Sequence, residues 1–311
     1  MDKFLVTGGA GFIGSNICKR LVADGCFVRV LDNLLTGKRS NLAQIVDKIE
    51  FVEADMGDPE VARAAMQGID VVLHEGALPS VPRSVDDPVS SHRHCVDATF
   101  TLLVAARDAG VKRFVYAASS SAYGDTPTLP KVEAIRPDPL SPYAVGKLVG
   151  EYYCSVFAKV YGLETIALRY FNVFGPQQDP ASQYAAAIPA FVTAILKDQP
   201  PTIYGDGEQS RDFTYIDNIV HANLLAARVK KTAGEVVNVA CGEAVTVNAI
   251  IDMINRLLGK NVKPIYAPAR AGDVKHSLAD ITAARKLIGF EPVVLFREGL
   301  EKSIDWYRNN L

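Results

Sequence analysis

The chain has 311 residues, is 49% hydrophobic and carries a formal net charge of −2. Such a length suits two lobes, or one large α/β domain with an added cap, and the apolar share is enough for a large core. The near-neutral balance gives no electrostatic reason for nucleic acid or an anionic membrane surface as partner, and no apolar run is long enough to span a bilayer.

Met1-Asp2-Lys3 leads at once into a short apolar strand, too short for a signal peptide. The cysteines Cys18, Cys26, Cys95, Cys154 and Cys241 are scattered, odd in number and form no C-x-x-C. Neither a zinc site nor a disulfide framework is indicated, and a reduced, cytoplasmic setting without a metal is the expectation.

Strand-like runs at Phe4–Thr7, Phe27–Leu31, Ile49–Val52, Asp70–His74, Arg113–Ala118 and Thr165–Arg169 alternate with helical stretches at Asn16–Ala23, Glu60–Met66, Ala98–Ala109 and Pro142–Tyr161. This alternation predicts βαβ units, right-handed crossovers and a doubly wound parallel sheet. After about Gly175 the texture changes. The loop Pro176-Gln177-Gln178-Asp179-Pro180 precedes a helix near Ile188–Lys197 and turns at Pro200-Pro201 and Gly205-Asp206-Gly207. One more strand at Val236–Val239 and helices at Val247–Leu258 and Arg297–Arg308 follow. The division is therefore a Rossmann-type domain over 1–175, rejoined by the strand near 236–239, and a smaller substrate-binding α/β lobe over most of 176–311.

Phe4–Thr7 runs directly into Gly8-Gly9-Ala10-Gly11-Phe12-Ile13-Gly14 and then a helix. A bare glycine pattern is a weak signal, but strand, turn and helix in this order are the context a dinucleotide needs. Glycine permits the tight turn and a close backbone approach to pyrophosphate, and the helix N-terminus offers free N–H groups to its oxygens. Asp32 closes the second strand, roughly 20 residues after the turn, where a carboxylate bonds the adenosine ribose and repels a 2′-phosphate. This favours NAD over NADP, although Lys38 and Arg39 stand nearby. Asp55, after the third strand, is placed to reach the adenine edge.

Ser119-Ser120-Ser121 ends the strand Arg113–Ala118, at the carboxyl edge where open α/β sheets bind ligands. A serine there can bond a substrate hydroxyl and relay its proton; serines also form plain strand-end turns. Ser141-Pro142 reads as a helix start, with Ser141 as N-cap. Tyr143 and Lys147 then share one helical face. A nearby ammonium lowers a phenol's pKa, making Tyr143 a candidate general base. Taken alone, the same spacing also describes a surface tyrosine and a solvated lysine.

The segments GGAGFIG, LDN, ADMGD, HEGA, FVYAASSSAYGD, SPYAVGK, LRYFNVFGPQQDP, YGDGEQSRDFTYIDN and PARAGDVKHSLAD lie in this order along the chain. Together they resemble the extended short-chain dehydrogenases/reductases, within them the nucleotide-sugar epimerases. The last three are most similar to bacterial UDP-N-acetylglucosamine 4-epimerases and their UDP-glucose kin. The resemblance implies NAD, a UDP-sugar substrate, and 4-epimerisation through a transient 4-keto sugar. It implies Ser119, Tyr143 and Lys147 as the catalytic set, with Ser119 first among the serines for its spacing from Tyr123-Gly124. It places the cofactor on Gly8, Gly11, Phe12, Ile13, Gly14, Asp32, Asn33, Thr36, Gly37, Asp55, Met56, Gly76, Ala77, Tyr143, Lys147 and Tyr170. It places the nucleotide sugar on Ser119, Ser120, Tyr143, Asn172, Ile203, Tyr204, Arg211, Arg270, Asp273 and Ser277. An arginine supplies a planar fork of donors for the diphosphate. At the position of Ser277 the family associates a small residue with acceptance of N-acetylated sugars.

Two departures stand out. The family's usual asparagine beside the nicotinamide aligns with Cys95, and its alanine-rich HxAA reads His74-Glu75-Gly76-Ala77, with Glu75 expected to be solvated. The family commonly pairs through two helices, so a homodimer through Ala98–Ala109 and Pro142–Tyr161 is expected. A UDP-uronic acid 4-epimerase or another sugar-nucleotide dehydratase or reductase is the alternative from the same intermediate. A 4,6-dehydratase needs an acid–base pair where Ser120-Ser121 stands. A non-catalytic NAD-binding protein would not need Ser119, Tyr143 and Lys147 together.

Overall fold

Short strands that are apolar on both faces, with helices between them, call for a sheet covered on two sides. The computed structural model describes residues 2–179, 187–269 and 274–310. Strand β1 (Lys3–Thr7) feeds α1 (Phe12–Ala23), followed by β2 (Phe27–Asp32), β3 (Glu50–Glu53), α2 (Pro59–Ala65) and β4 (Val71–His74). Helices α3 (Val81–Asp86), α4 (Pro88–His92) and α5 (Ala98–Asp108) lead to β5 (Arg113–Ser119), and α6 (Pro142–Tyr161) leads to β6 (Glu164–Tyr170). Next come β7 (Val173–Phe174), α7 (Ala187–Leu196), β8 (Thr202–Tyr204), β9 (Ser210–Asp212), β10 (Thr214–Tyr215), α8 (Ile216–Arg228) and β11 (Glu235–Val239). The last elements are β12 (Ala244–Thr246), α9 (Val247–Leu258), β13 (Ile265–Ala267), α10 (Thr282–Ile288) and α11 (Phe296–Asn310).

Seven strands form one sheet in the order β11-β6-β5-β4-β1-β2-β3, all parallel. The chain steps outward in one direction from β1 to β3 and in the other from β4 to β11, so the switch point lies between β1 and β4. A crevice opens there beyond the carboxyl ends of the strands. Successive residues point to opposite faces. Phe4 and Val6 join the core that holds Ile17 and Leu21 of α1 and Ile219 of α8. Leu5 joins the other, with Ala62 of α2, Leu102 of α5 and Phe157 of α6.

The elements expected from the sequence are present, with ends moved by a few residues. The largest difference is at α1, which begins at Phe12 rather than Asn16, because the helix starts inside the glycine turn. Helix α8 is an addition. Its apolar period is interrupted by Asn218 and Asn223, which are buried, with both amide nitrogens hydrogen-bonded. Asn218 Nδ2 donates to Val294 O at 2.7 Å, and its Oδ1 accepts from the backbone of Val293 and Val294. Asn223 Nδ2 donates to the Tyr170 hydroxyl.

Helix α6 starts on Ser141, whose Oγ accepts from Ala144 N at 3.2 Å, and stops at Gly162 in the left-handed region. A Cβ on Gly150 would come within 2.3 Å of Tyr116 Oη, so glycine is what lets α6 lie close on β5. Glu151 of α6 grips Arg169 of β6 with two hydrogen bonds of 2.8 and 2.7 Å, both side chains buried. These contacts set the position of Tyr143 and Lys147, which lie within the first two turns of the same helix.

The remaining strands form short pairs outside this sheet: β7 with β10 and β8 with β13 in parallel, β9 with β12 antiparallel. Among the described residues no helix is long and apolar enough to cross a membrane.

Candidate active site

A cleft of about 620 Å³ opens over the switch point. Gly8, Gly11, Phe12, Ile13 and Gly14 line one wall, and Asp32, Asn33, Thr36, Met56, Gly76 and Ala77 another. The glycines are there because side chains do not fit. Gly8 has φ +65°, and a Cβ on Gly14 would sit 2.3 Å from Gly8 O. The turn is closed by Gly11 N on Gly8 O at 3.0 Å, which leaves the start of α1 bare toward the cleft. No side chain caps that start. This is the cradle a pyrophosphate requires.

Asp32 is buried at the end of β2. Its oxygens accept from Ala10 N at 2.9 Å and Leu34 N at 2.8 Å, which orients the carboxylate, while burial pushes its pKa up. Gly37 does not line the cleft but packs on this carboxylate. Asp55 does not line the cleft either. Its oxygens accept from Gly57 N at 2.9 Å and from Arg93 at 3.3 Å. Buried His74 bridges Thr7 Oγ1 at 2.7 Å and Thr99 Oγ1 at 2.9 Å, and the same Thr7 oxygen accepts from Gly76 N. These bonds fix the HEGA turn against the glycine turn.

A second cleft, of about 430 Å³, is lined by Ser119, Ser120, Ser121, Asn172, Arg211 and Ser277. Tyr143, Ala118, Ile13, Tyr170 and Val173 line both clefts, so the two meet at these residues. At this junction Ser119 stands beside the Tyr143 phenol, near enough to draw its pKa down. Lys147 is buried beneath, its Nζ donating to Ala117 O at 2.7 Å and lying 5.0 Å from the centre of the Tyr116 ring. The expected effect of Lys147 on Tyr143 needs correction. Burial pushes the Tyr143 phenol well above its usual pKa, and the group that draws it down is Ser119. The lysine ammonium is directed at the Ala117 carbonyl instead.

Not every expected residue reaches these clefts. Ile203 is 1% exposed within the core, and the Tyr204 side chain is largely exposed; neither lines a cleft. Arg211 Nη1 donates to the carbonyls of Ser210 and Lys275 at 3.0 Å each. Arg270 and Asp273 lie outside the described residues. Cys95 is buried one turn before α5 and packs against α6, where a Cβ on Gly146 would lie 3.0 Å from Cys95 Cβ.

Other lining residues carry weaker sequence signals. Ser80, Arg83 and His94 line the first cleft. The Ser80-Val81-Pro82 start of α3, with Ser80 Oγ accepting from Arg83 N at 3.1 Å, is a readable capping pattern. Gln178 and Asp179 cover the same cleft, held by Tyr307 on Gln178 O at 2.6 Å and by Lys38 on Asp179 at 2.6 Å. Lys131 is buried in the second cleft with its ammonium on Thr126 O, and no local pattern announced it. Glu75, expected to be solvated, has one carboxylate oxygen sealed from water and the other accepting from Tyr170 Oη at 2.8 Å.

Known proteins share this arrangement. The UDP-glucose 4-epimerase of Mycolicibacterium smegmatis is 38% identical over 99% of both chains. The UDP-N-acetylglucosamine 4-epimerase of Methanobrevibacter ruminantium, solved with UDP-N-acetylmuramic acid, superimposes with a TM-score of 0.95 at 40% identity, covering 100% of this chain and 99% of that one. The UDP-glucose 4-epimerase of Thermus thermophilus, solved with NAD, gives 0.91 at 35% identity over 99% and 100%. The model of the NAD dependent epimerase/dehydratase family matches residues 4–240. The chain belongs to that family.

Proposed function

We propose that this chain is a UDP-sugar 4-epimerase with resident NAD, and that UDP-N-acetylglucosamine and UDP-N-acetylgalactosamine are its preferred pair. The carrying observation is the meeting of a dinucleotide cradle and a second polar cleft at Tyr143, with Lys147 lining the first and Ser119 the second. NAD, when bound, accepts the hydride from sugar C4 and returns it to the opposite face, so none is consumed. Gly8, Gly11 and Gly14 hold its pyrophosphate, and Asp32 accepts from its adenosine ribose.

Tyr143 takes the proton of the sugar 4-hydroxyl, directly or through Ser119, and holds it while the 4-keto sugar turns. Lys147 keeps a positive charge beneath the phenol. Asn172 and Arg211 hold the nucleotide diphosphate side, joined by Arg270 and Asp273. Ser277, buried in the wall of the second cleft, supports the N-acetyl reading because a small side chain leaves room there. Residues 1–175 with β11 serve the cofactor, and 176–311 mainly serve the sugar nucleotide.

A UDP-uronic acid 4-epimerase is the second reading, favoured by the buried cation Lys131 in the second cleft. Incubation with UDP-N-acetylglucosamine, UDP-glucose and UDP-glucuronic acid separates the two. Fastest formation of the C4 epimer from the N-acetylated sugar supports the first, fastest formation from the uronic acid the second, and no epimer from any of them removes both.

A homodimer through α5 and α6 is also proposed, in a cytoplasmic setting. Phe100 on α5 and Val145, Tyr152, Val156 and Val160 on α6 are 42–65% exposed. Such an apolar stripe fits a helix-pair interface. A monomer mass in solution at micromolar concentration would count against it.

A further inference from the structure

Glu75 follows β4, beside the glycine turn. Its Oε1 accepts from Tyr170 Oη at 2.8 Å, and that hydroxyl oxygen accepts from Asn223 Nδ2 at 2.7 Å. Its Oε2 is buried and has no hydrogen-bond partner, in a residue that lines the dinucleotide cleft. A buried acceptor left unpaired is costly, and a native structure keeps one where something else uses it. The titratable groups that face it are Tyr143 and Lys147 from α6, Tyr170 from β6 and Cys18 from α1. Of these, Lys147 is the cation. Asp32, Arg83, His94 and Asp179 line the same cleft.

We propose that Glu75 is a positioning residue that sets the redox poise of the bound cofactor, its carboxylate charge favouring the cationic, oxidised nicotinamide over the neutral, reduced one. The inference rests on the reading of this cleft as the NAD site of a hydride-transfer enzyme. In that reaction the sugar C4–H bond breaks, its electron pair and proton pass together to the nicotinamide, and the 4-hydroxyl proton passes to Tyr143. The nicotinamide thereby loses its positive charge. A fixed negative charge facing the junction opposes that loss and keeps the resting enzyme oxidised, ready to start a cycle. Burial lifts the Glu75 carboxyl to about 7, while the Tyr170 hydrogen bond and Lys147 hold it down. The charge is therefore present above about 7 and absent well below it.

The test poises the holoenzyme against redox dyes and reads reduced cofactor from its near-ultraviolet absorbance, for wild type, Glu75→Gln and Tyr170→Phe across pH. Glutamine still accepts from Tyr170 but carries no charge. Above the Glu75 pKa, Glu75→Gln is expected to favour the reduced form about tenfold, a rise of about 30 mV for a two-electron couple. Well below it, the two proteins should coincide. Wild type alone should show a bend in potential against pH near 7. Tyr170→Phe should move that bend upward. Equal potentials at every pH, a shift independent of pH, or a straight wild-type line would each overturn the role of Glu75 while leaving the cofactor reading intact. A wild-type protein that retains no NAD would overturn both.

Discussion

Ser119 Oγ accepts two hydrogen bonds from Ser121, from the backbone N at 3.2 Å and from Oγ at 2.8 Å. Ser119, so oriented, stands beside the Tyr143 phenol and draws its pKa down. Tyr143→Phe should therefore lower kcat by about 10²–10⁴ while the fold and bound NAD persist. Ser119→Ala should cost less, about tenfold or more, and Ser120→Ala least. Steady-state rates alongside the cofactor content of each variant decide this, and near-normal turnover of Tyr143→Phe would refute the assignment.

Two of the glycines that line the cofactor cleft, Gly14 and Gly76, should respond differently to alanine. A Cβ on Gly14 meets backbone, Gly8 O at 2.3 Å and Gly9 Cα at 2.7 Å, which cannot move without breaking the turn. A Cβ on Gly76 meets the Met56 thioether, with Sδ at 2.5 Å, and a methionine can swing aside. Gly14→Ala should be purified without NAD, and Gly76→Ala with it. The NAD released on denaturing each protein measures the difference.

Cofactor retention should depend on a residue far along the chain. Tyr307 of α11 is fully buried, and its hydroxyl donates to Gln178 O at 2.6 Å, anchoring the segment that covers the dinucleotide cleft. Tyr307→Phe removes about 1 kcal/mol of anchoring, which predicts roughly fivefold faster exchange of bound for labelled NAD. The exposed Lys38–Asp179 pair should contribute less, so Lys38→Met should exchange nearly as slowly as wild type.

Burial holds His74 down to about 3, against 6.5 for the free side chain. The unfolded chain takes up this proton as pH falls through 6.5 and the folded chain does so only near 3, so stability falls with pH across that window. The slope is up to about 1.4 kcal/mol per unit. Glu75 and Asp212, raised to about 7 and about 6, act in the opposite sense, because there the folded state takes up the proton first. Comparison with His74→Gln isolates the histidine. The advantage of wild type in urea midpoint should shrink as pH drops below 6.5. A constant difference would show that His74 is not held neutral.

Much of this was legible in the sequence, for physical reasons. The sheet strands are short apolar runs, and Ser141-Pro142 marks the start of α6 to the residue. Gly8–Gly14, Asp32 and the Ser119–Tyr143–Lys147 group announce themselves because backbone approach, ribose binding and proton transfer each demand a residue type at a set place. What stayed hidden depends on tertiary burial. Asn218 and Asn223 break the apolar period of α8 because their partners, Val294 and Tyr170, are remote in the chain. Glu75 and Lys131 look like ordinary surface charges until the fold encloses them. Asp55 pairs with Arg93, a contact no local pattern displays.

The central claim is hydride transfer out of and back into one sugar within one bound cofactor. The direct measurement uses UDP-N-acetylglucosamine deuterated at C4, incubated with the purified protein and no added NAD. The account predicts UDP-N-acetylgalactosamine that retains the deuterium at C4. An epimer that has exchanged its label with solvent, or no epimer from this or any other UDP-sugar, would contradict it.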